Sequence, residues 1–266
     1  MRIITLNAWG GRALYPLMKF VERYAPTVDV FCFQEVFDTT QADVDFLHPD
    51  EYLCGNLFQR LERLIGGCRK QKFTGEFAFR PDSPTRMSQA LFYRNSLPAI
   101  AYGSEVIHQP EQPVEDGSAV ISGRMMQYLM VDQPNGSSDC LKPMTVINYH
   151  GLWGGGGKTD TPERLEQSRR LRRLMDEMPG PIVLCGDLNL LPETESLRIL
   201  DSGHRNLVLE GTVKTTRTPL YRHYHDSRCP KMADYVIVSS GVRVQQFQVM
   251  PDLASDHAPL LLDFDW

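Results

Sequence analysis

The C-terminal stretch Ala254-Ser255-Asp256-His257-Ala258-Pro259-Leu260-Leu261-Leu262-Asp263-Phe264-Asp265-Trp266 sets an acid and an imidazole at the mouth of an apolar, strand-like run. Such a pair is costly to bury unless it is hydrogen-bonded or faces an opposite charge. Four other fragments share this construction: Leu6-Asn7-Ala8-Trp9, Phe33-Gln34-Glu35-Val36, Asn148-Tyr149-His150-Gly151 and Gly186-Asp187-Leu188-Asn189. Each ends an apolar run with a side chain that can bind a metal, carry a proton or orient a phosphate. Five strand ends bearing acid, amide and imidazole groups imply one polar site at the rim of a β scaffold.

The elements around these fragments follow from periodicity. Residues 2–7 read as a buried strand. Leu17, Phe20, Val21 and Tyr24 recur at helical spacing over 15–24, and Pro26 stops that helix. A second strand is expected over 28–33, which gives strand–helix–strand with Asn7 and Glu35 at the two strand ends. Sites in open α/β sheets gather at such carboxyl ends. A short helix is expected over 57–65. The middle third reads as β-rich, with strands over 73–80, 89–93, 106–109, 118–127, 129–132 and 144–150 separated by proline and glycine turns. Thr161-Pro162-Glu163 opens a helix with a hydroxyl cap, an early proline and an acid. That helix runs to about 178. A strand over 182–185, a helix over 194–200 and strands over 235–238, 242–249 and 260–264 close the chain. The second half thus repeats the strand–helix–strand logic of the first. Two sheets packed face to face, with helices outside, would bury both sets of strands, and no linker divides the chain into separate domains.

Composition narrows the function. An apolar fraction of 42% over 266 residues fills a sizeable core. No run approaches the ~20 apolar residues of a membrane span, so no membrane partner is expected. Residues 1–4 enter a strand without a leader segment, so the expected location is cytoplasmic. Six cysteines, Cys32, Cys54, Cys68, Cys140, Cys185 and Cys229, contain no CxxC pair, which disfavours a structural zinc site. Cys32 and Cys185 read as reduced packing residues. The net charge of −5 argues against a broad nucleic-acid-binding face. The cations are nevertheless clustered, at Arg60, Arg63, Arg69, Lys70 and Lys72 and again at Lys214, Arg217, Arg222, Arg228 and Lys231. These are either solvated loops or a positive rim around an anionic substrate.

Glu35, with Asn7 on the preceding strand and Asp256 later, makes an oxygen-rich pocket plausible for a hard cation such as Mg²⁺. Asp187 and Asn189 alternate, so on an extended segment both face one side. They suit the orientation of a water, though Asp-x-Asn is equally compatible with an Asx-turn. Asp234 and Asp256 are acids that could hold the rings of His150 and His257. Gly154 to Lys158 follows His150 and meets the phosphate-binding GxxxxGK[ST] pattern only in part; a flap over the substrate is the expectation. Trp9 and Trp153 read as either packing or stacking residues. Lys158 and Arg217 are candidate phosphate donors.

Taken in order, TLNAWG, FQEV, NYHG, GDLN, ADYV and SDHAPL resemble the endonuclease/exonuclease/phosphatase superfamily, the group that contains apurinic endonucleases and pancreatic-type deoxyribonucleases. The agreement in order and rough spacing runs from residue 2 to residue 263. The resemblance implies one domain over 1–266, a four-layer α/β/β/α sandwich and divalent-metal hydrolysis of phosphate esters with Mg²⁺ or Mn²⁺. It makes Glu35 the main metal ligand, completed or supported by Asn7 and Asp256. Asp187 activates the attacking water with help from Asn189. His150, paired with Asp234, and His257, supported by Asp256, contact the phosphoryl oxygens. Trp9, Trp153, Lys158 and Arg217 are the expected substrate contacts. Cys229-Pro230-Lys231-Met232-Ala233-Asp234 departs from the pattern usual in inositol 5-phosphatases. The expected activity is a phosphodiesterase on a small or short substrate, with a DNA or RNA nuclease or repair phosphodiesterase as the alternative; nucleic acid is possible but not required. No protein partner is expected. A catalytically silent binding protein is disfavoured because every matched position keeps its residue type.

Overall fold

The computed structural model of the protein describes residues 1–39, 53–66, 73–78, 87–109, 123–132, 143–153 and 157–266. The chain opens with β1 (Arg2–Asn7), a 3-10 turn (Trp9–Gly11), α1 (Leu14–Tyr24) and β2 (Val30–Phe37). Next come α2 (Leu57–Gly66), β3 (Phe73–Phe77), β4 (Met87–Arg94), β5 (Ala99–His108), β6 (Arg124–Val131) and β7 (Met144–Tyr149). The last part holds α3 (Pro162–Glu177), β8 (Ile182–Asp187), α4 (Glu195–Asp201), β9 (Arg205–Asn206), α5 (Leu207–Glu210), β10 (Asp234–Val238), β11 (Arg243–Val249) and β12 (Leu260–Asp265).

The strands form two mixed sheets of six, in the orders β11-β12-β1-β2-β4-β3 and β5-β6-β7-β8-β10-β9. In the first, β1 pairs parallel with β2 and antiparallel with β12. In the second, β7 pairs parallel with β8, and β8 antiparallel with β10. Alternation along the strands builds the layers. On β1 and β2, Ile4, Leu6, Phe31 and Phe33 turn outward and pack under Leu17, Phe20 and Val21 of α1 and Leu57, Leu61 and Ile65 of α2. Ile3, Val30 and Cys32 turn inward, against Val146, Leu184 and Cys185 of the other sheet, whose outer side is covered by Leu171 and Met175 of α3 and Leu197 and Leu200 of α4. The result is a four-layer α/β/β/α sandwich. No helix among the described residues is long and apolar enough to cross a membrane.

The observed elements differ from the sequence reading in four places. The strands expected over 118–127 and 129–132 are one strand, β6, and residues 118–122 lie outside the described residues, as do 79 and 80 at the end of the run expected over 73–80. Strand β5 begins at Ala99 rather than 106, because its solvent-facing residues hide the pattern: Ile100 and Tyr102 are exposed. The short β9 and α5 carry too few residues to show a period. Glu35 does not end β2, which continues to Phe37. Cys68, Cys140, Arg69, Lys70, Lys72 and Gly154–Gly156 also lie outside the described residues.

Candidate active site

The polar residues meet where the two sheets present the carboxyl ends of β1, β2, β7 and β8 and the amino ends of the antiparallel β10 and β12. Asp187, at the end of β8, is the hub. Its Oδ2 accepts a 3.0 Å hydrogen bond from Asn7 Nδ2 and lies 3.6 Å from His257 Nε2 and 3.8 Å from His150 Nε2. Its Oδ1 accepts the Asn189 backbone N–H at 3.0 Å. The preceding Gly186 has φ +140°, and a Cβ there would stand 2.0 Å from the Tyr149 carbonyl. Only glycine lets β8 approach β7 this closely and so bring Asp187 beside His150.

Glu35 reaches the hub by a different device. It occupies the left-handed region (φ +53°) at a β-bulge where the β2–β4 register shifts between Phe33 and Val36. Phe31 and Phe33 face outward, so strict alternation would also turn Glu35 toward the helices; the bulge re-aims it across the strand end. Glu35 Oε1 accepts from Asn7 Nδ2 at 2.9 Å and lies 3.9 Å from His150 Nε2. The three non-glycine residues with positive φ among the described residues are Trp9, Glu35 and Asn189. All three border this site, as expected where backbone strain is tolerated for position.

Two expected pairings are corrected. Asp234 does not hold His150: both of its carboxylate oxygens lie 2.9 Å from His257 Nδ1. The reason is register, since Asp234 and Asp187 are direct partners across the β8–β10 ladder and the His257 ring fits between them. Asp256 in turn is taken by Arg217, whose Nη1 donates to its Oδ2 at 2.8 Å, and its Oδ1 is 3.9 Å from His257 Nε2. His150 instead meets Asn189 Nδ2 at 3.3 Å.

Of the expected metal set, Glu35 and Asn7 are hydrogen-bonded to each other, and Asp256 is paired with Arg217. Among the described residues, acid and imidazole atoms within 4.8 Å of one another form two groups of three, Glu35–His150–Asp187 and Asp187–Asp234–His257. Asn7 offers its amide nitrogen to both acids while its oxygen accepts the Trp9 N–H at 2.9 Å, so it bridges the carboxylates.

Charge is balanced by neighbours. Burial opposes ionisation of Asp187, but His257, Lys158, His150 and Arg217 outweigh it and hold the carboxyl well below the usual range. Burial and Arg217 disfavour the charged His257 ring, yet Asp234 and Asp187 overcome them and raise its pKa. Burial raises the pKa of Glu35, with the Asn7 hydrogen bond opposing. Burial lowers the Lys158 ammonium to about 8. Lys158 Nζ donates one 3.3 Å hydrogen bond, to the Met232 carbonyl.

The sequence reading missed the support. Arg164 on α3, 3% exposed, donates to Gly157 O at 2.6 Å, Thr159 O at 2.7 Å and Leu152 O at 3.3 Å, and the Gln167 carbonyl oxygen accepts the Leu152 N–H. Gly157 and Lys158 are therefore braced rather than a free flap; residues 154–156 lie outside the described residues. A buried amide network was missed as well: Gln34 Nε2 donates to Asn148 Oδ1 at 2.7 Å, and Asn148 Nδ2 donates to the Phe33 carbonyl at 3.1 Å next to the bulge. Both are polar residues in apolar strands, which is the one signal that could have flagged them. Trp9 lies beside Arg12 (5.4 Å from ring centroid to guanidinium), and Trp153 is exposed at the rim.

This fold and site define a class. The chain belongs to the Endonuclease/Exonuclease/phosphatase family, whose model matches residues 4–257, and it is a phosphoric ester hydrolase. Its fold is similar to that of an endonuclease/exonuclease/phosphatase from Bacteroides vulgatus (18% identity, TM-score 0.71, covering 99% of this chain and 98% of that one). It is also similar to a mannosyl-6-phosphatase from Bacteroides thetaiotaomicron (15%, TM-score 0.69, all of both chains) and to the human Nocturnin catalytic domain (17%, TM-score 0.64, 100% and 93%). No curated protein matches the chain in sequence.

Proposed function

We propose that the protein hydrolyses a small or short phosphodiester by in-line attack of a water that Asp187 orients, with Mg²⁺ or Mn²⁺ bound beside Glu35. The observation that carries this reading is the convergence of Asn7, His150 and His257 on Asp187 Oδ2, within 3.0–3.8 Å. A carboxylate kept ionised in a buried, cation-rich site is suited to accept a proton from water and to sit opposite developing phosphoryl charge.

The residues fit a divalent cation. Glu35 is a carboxylate whose pKa is raised by burial, grouped with Asp187 and His150, and hard cations favour such oxygen donors. Bound there, the ion would polarise a phosphoryl oxygen and offset charge on it. Asn7 keeps the Glu35 and Asp187 carboxylates at a fixed separation. Asn189 holds the Asp187 carboxylate through its backbone N–H and orients His150 through its side chain. His257, kept cationic by Asp234, donates Nε2–H toward a phosphoryl or leaving oxygen. Lys158 and Arg217 lie on the same side and offset the substrate's charge, while Trp9 and Trp153 border the rim. Asp256 acts through Arg217.

Two alternatives have specific support. The basic segment from Lys214 to Lys231 keeps a nucleic-acid substrate as the second reading. The fold likeness to a mannosyl-6-phosphatase keeps a phosphomonoester as the third. Among the described residues Cys32, Cys185 and Cys229 are free thiols, which supports the cytoplasmic location expected from the sequence.

The test is hydrolysis of bis-(p-nitrophenyl) phosphate, p-nitrophenyl phosphate, and intact and abasic DNA duplexes with Mg²⁺, Mn²⁺ or EDTA. Turnover of the diester that EDTA abolishes supports the reading. Cleavage of DNA alone replaces it with the nuclease, turnover of the monoester alone replaces it with the phosphatase, and activity that survives EDTA removes the metal.

A further inference from the structure

The layer between the two sheets is built from apolar side chains, with one polar interruption. Val30 and Cys32 on β2 and Val146 on β7 line it, but the next inward positions on these strands hold Gln34 and Asn148, both fully buried. Gln127 on β6 and Gln89 on β4 are buried with them. Apolar residues of the same size would pack here without the cost of desolvating amides. That cost is visible at Gln34, whose Oε1 is buried with no hydrogen-bond partner. Polar groups kept in a core at such a cost point to a task of position rather than of stability.

The contacts show what is positioned. The β2–β4 bulge sets two residues, Gln34 and Glu35, against one, Gln89. Asn148 binds both sides of it. Gln34 Nε2 donates to Asn148 Oδ1 at 2.7 Å, and Gln89 Nε2 donates to the Asn148 carbonyl at 2.9 Å. Asn148 Nδ2 donates to the carbonyls of Phe33 and Ala90, at 3.1 and 3.3 Å. Phe33 and Ala90 are the last regular pair before the register shifts. A bulge disrupts its own ladder, so these bonds from the other sheet replace support that the ladder no longer gives. Glu35, held at φ +53°, is the residue that would relax if they were lost.

Asn148 also stands at the centre of the other two strand ends. It lies on β7 two residues before His150, and its register partner on β8 is Cys185, two residues before Asp187. One side chain thus clasps the bulge that aims Glu35 while its backbone belongs to the strand of His150 and pairs with the strand of Asp187.

We propose that Asn148 is a positioning residue: it fixes the backbone of Glu35 against His150 and Asp187, so that the three side chains share one site in the folded chain before any ion binds. Gln34 shares the task through its bond to Asn148. The inference rests on the reading of this group as the place of a divalent cation.

Two measurements on the whole chain test it. The first is Mn²⁺ binding followed by electron paramagnetic resonance, which needs no turnover. Asn148→Leu, close in size, should raise the Mn²⁺ dissociation constant at least about tenfold. Leu129→Ala, which opens a cavity in the same apolar cluster, should lower the melting temperature yet keep that constant within about twofold of wild type. The second is a cycle of denaturant melts in EDTA with Asn148→Leu, Glu35→Gly and the double variant. Glycine adopts φ +53° without strain, so Asn148→Leu should cost less stability on Glu35→Gly than on wild type. Should Asn148→Leu fail to fold, Gln34→Met, which removes the 2.7 Å bond, takes its place in both measurements. A Mn²⁺ constant that does not move, an equal rise in Leu129→Ala, or additive losses in the cycle would each overturn the assignment. A wild type that binds no Mn²⁺ sinks the metal reading, while the melts in EDTA still decide whether Asn148 holds the Glu35 bulge.

Discussion

Asp187 and Asp234 stand directly opposite each other across the β8–β10 ladder, and the His257 ring lies between their carboxylates, 2.9 Å from Asp234 and 3.6 Å from Asp187 Oδ2. Like charges at facing positions of a ladder repel. Here the repulsion is offset by an imidazole that enters from the loop before β12, on the other sheet. One ring thus ties the two sheets together and sets the protonation state of the site.

His257→Gln is expected to cut turnover at least about 10²-fold, as is Asp187→Ala, with circular dichroism unchanged. The pKa of His257 is higher in the folded protein than in the free ring, so the stability contributed by its charge is complete below about pH 6.5 and fades as pH rises through the folded value. Thermal melts from pH 5.5 to 9 should show the wild type losing its margin over His257→Gln toward high pH. A constant margin would mean that the ring carries no net charge in the fold.

Glu35→Asn separates stability from function. Asparagine tolerates positive φ better than glutamate, and the change removes a half-buried carboxylate, so stability should hold or rise by up to about 1 kcal/mol. Half-saturation by Mg²⁺ should rise at least tenfold. An unchanged metal titration would take Glu35 out of the metal site.

Lys158 loses its charge near pH 8, so KM for a phosphate ester should rise above that pH and Lys158→Met should flatten the profile. Burial has lowered its pKa from 10.5, so between about 8 and 10.5 the unfolded chain holds more protons than the folded one. This term therefore makes stability increase with pH across that window. A wild-type KM that is flat through pH 8 would contradict the assignment.

Arg217→Met leaves Asp256 buried and unpaired, which should cost about 3–5 kcal/mol. Adding Asp256→Asn should recover most of that loss without restoring turnover. Denaturant melts of the two variants measure the coupling, and additive losses would show that the pair is not an energetic unit.

The apolar periods of β1, β7, β8 and β12, the Thr161-Pro162 helix start and the polar residue closing each run are local properties, and local properties survive in a one-dimensional record. They were enough for two sheets, outer helices and a shared rim with Asn7, Glu35, His150, Asp187, Asn189, Asp234 and His257 on it. What a side chain touches depends on register, bulges and the approach of one sheet to the other, and these are set by contacts between residues far apart in the chain. Alternation along β2 would send Glu35 outward until the bulge at φ +53° reverses it. Asp234 could serve either histidine until the β8–β10 register gives it His257. Asp256 is held by Arg217, 39 residues away, a contact that the sequence could not show. Arg164 carried no signal in the sequence, and only the packing of α3 against the loop after His150 makes it the brace beside Lys158.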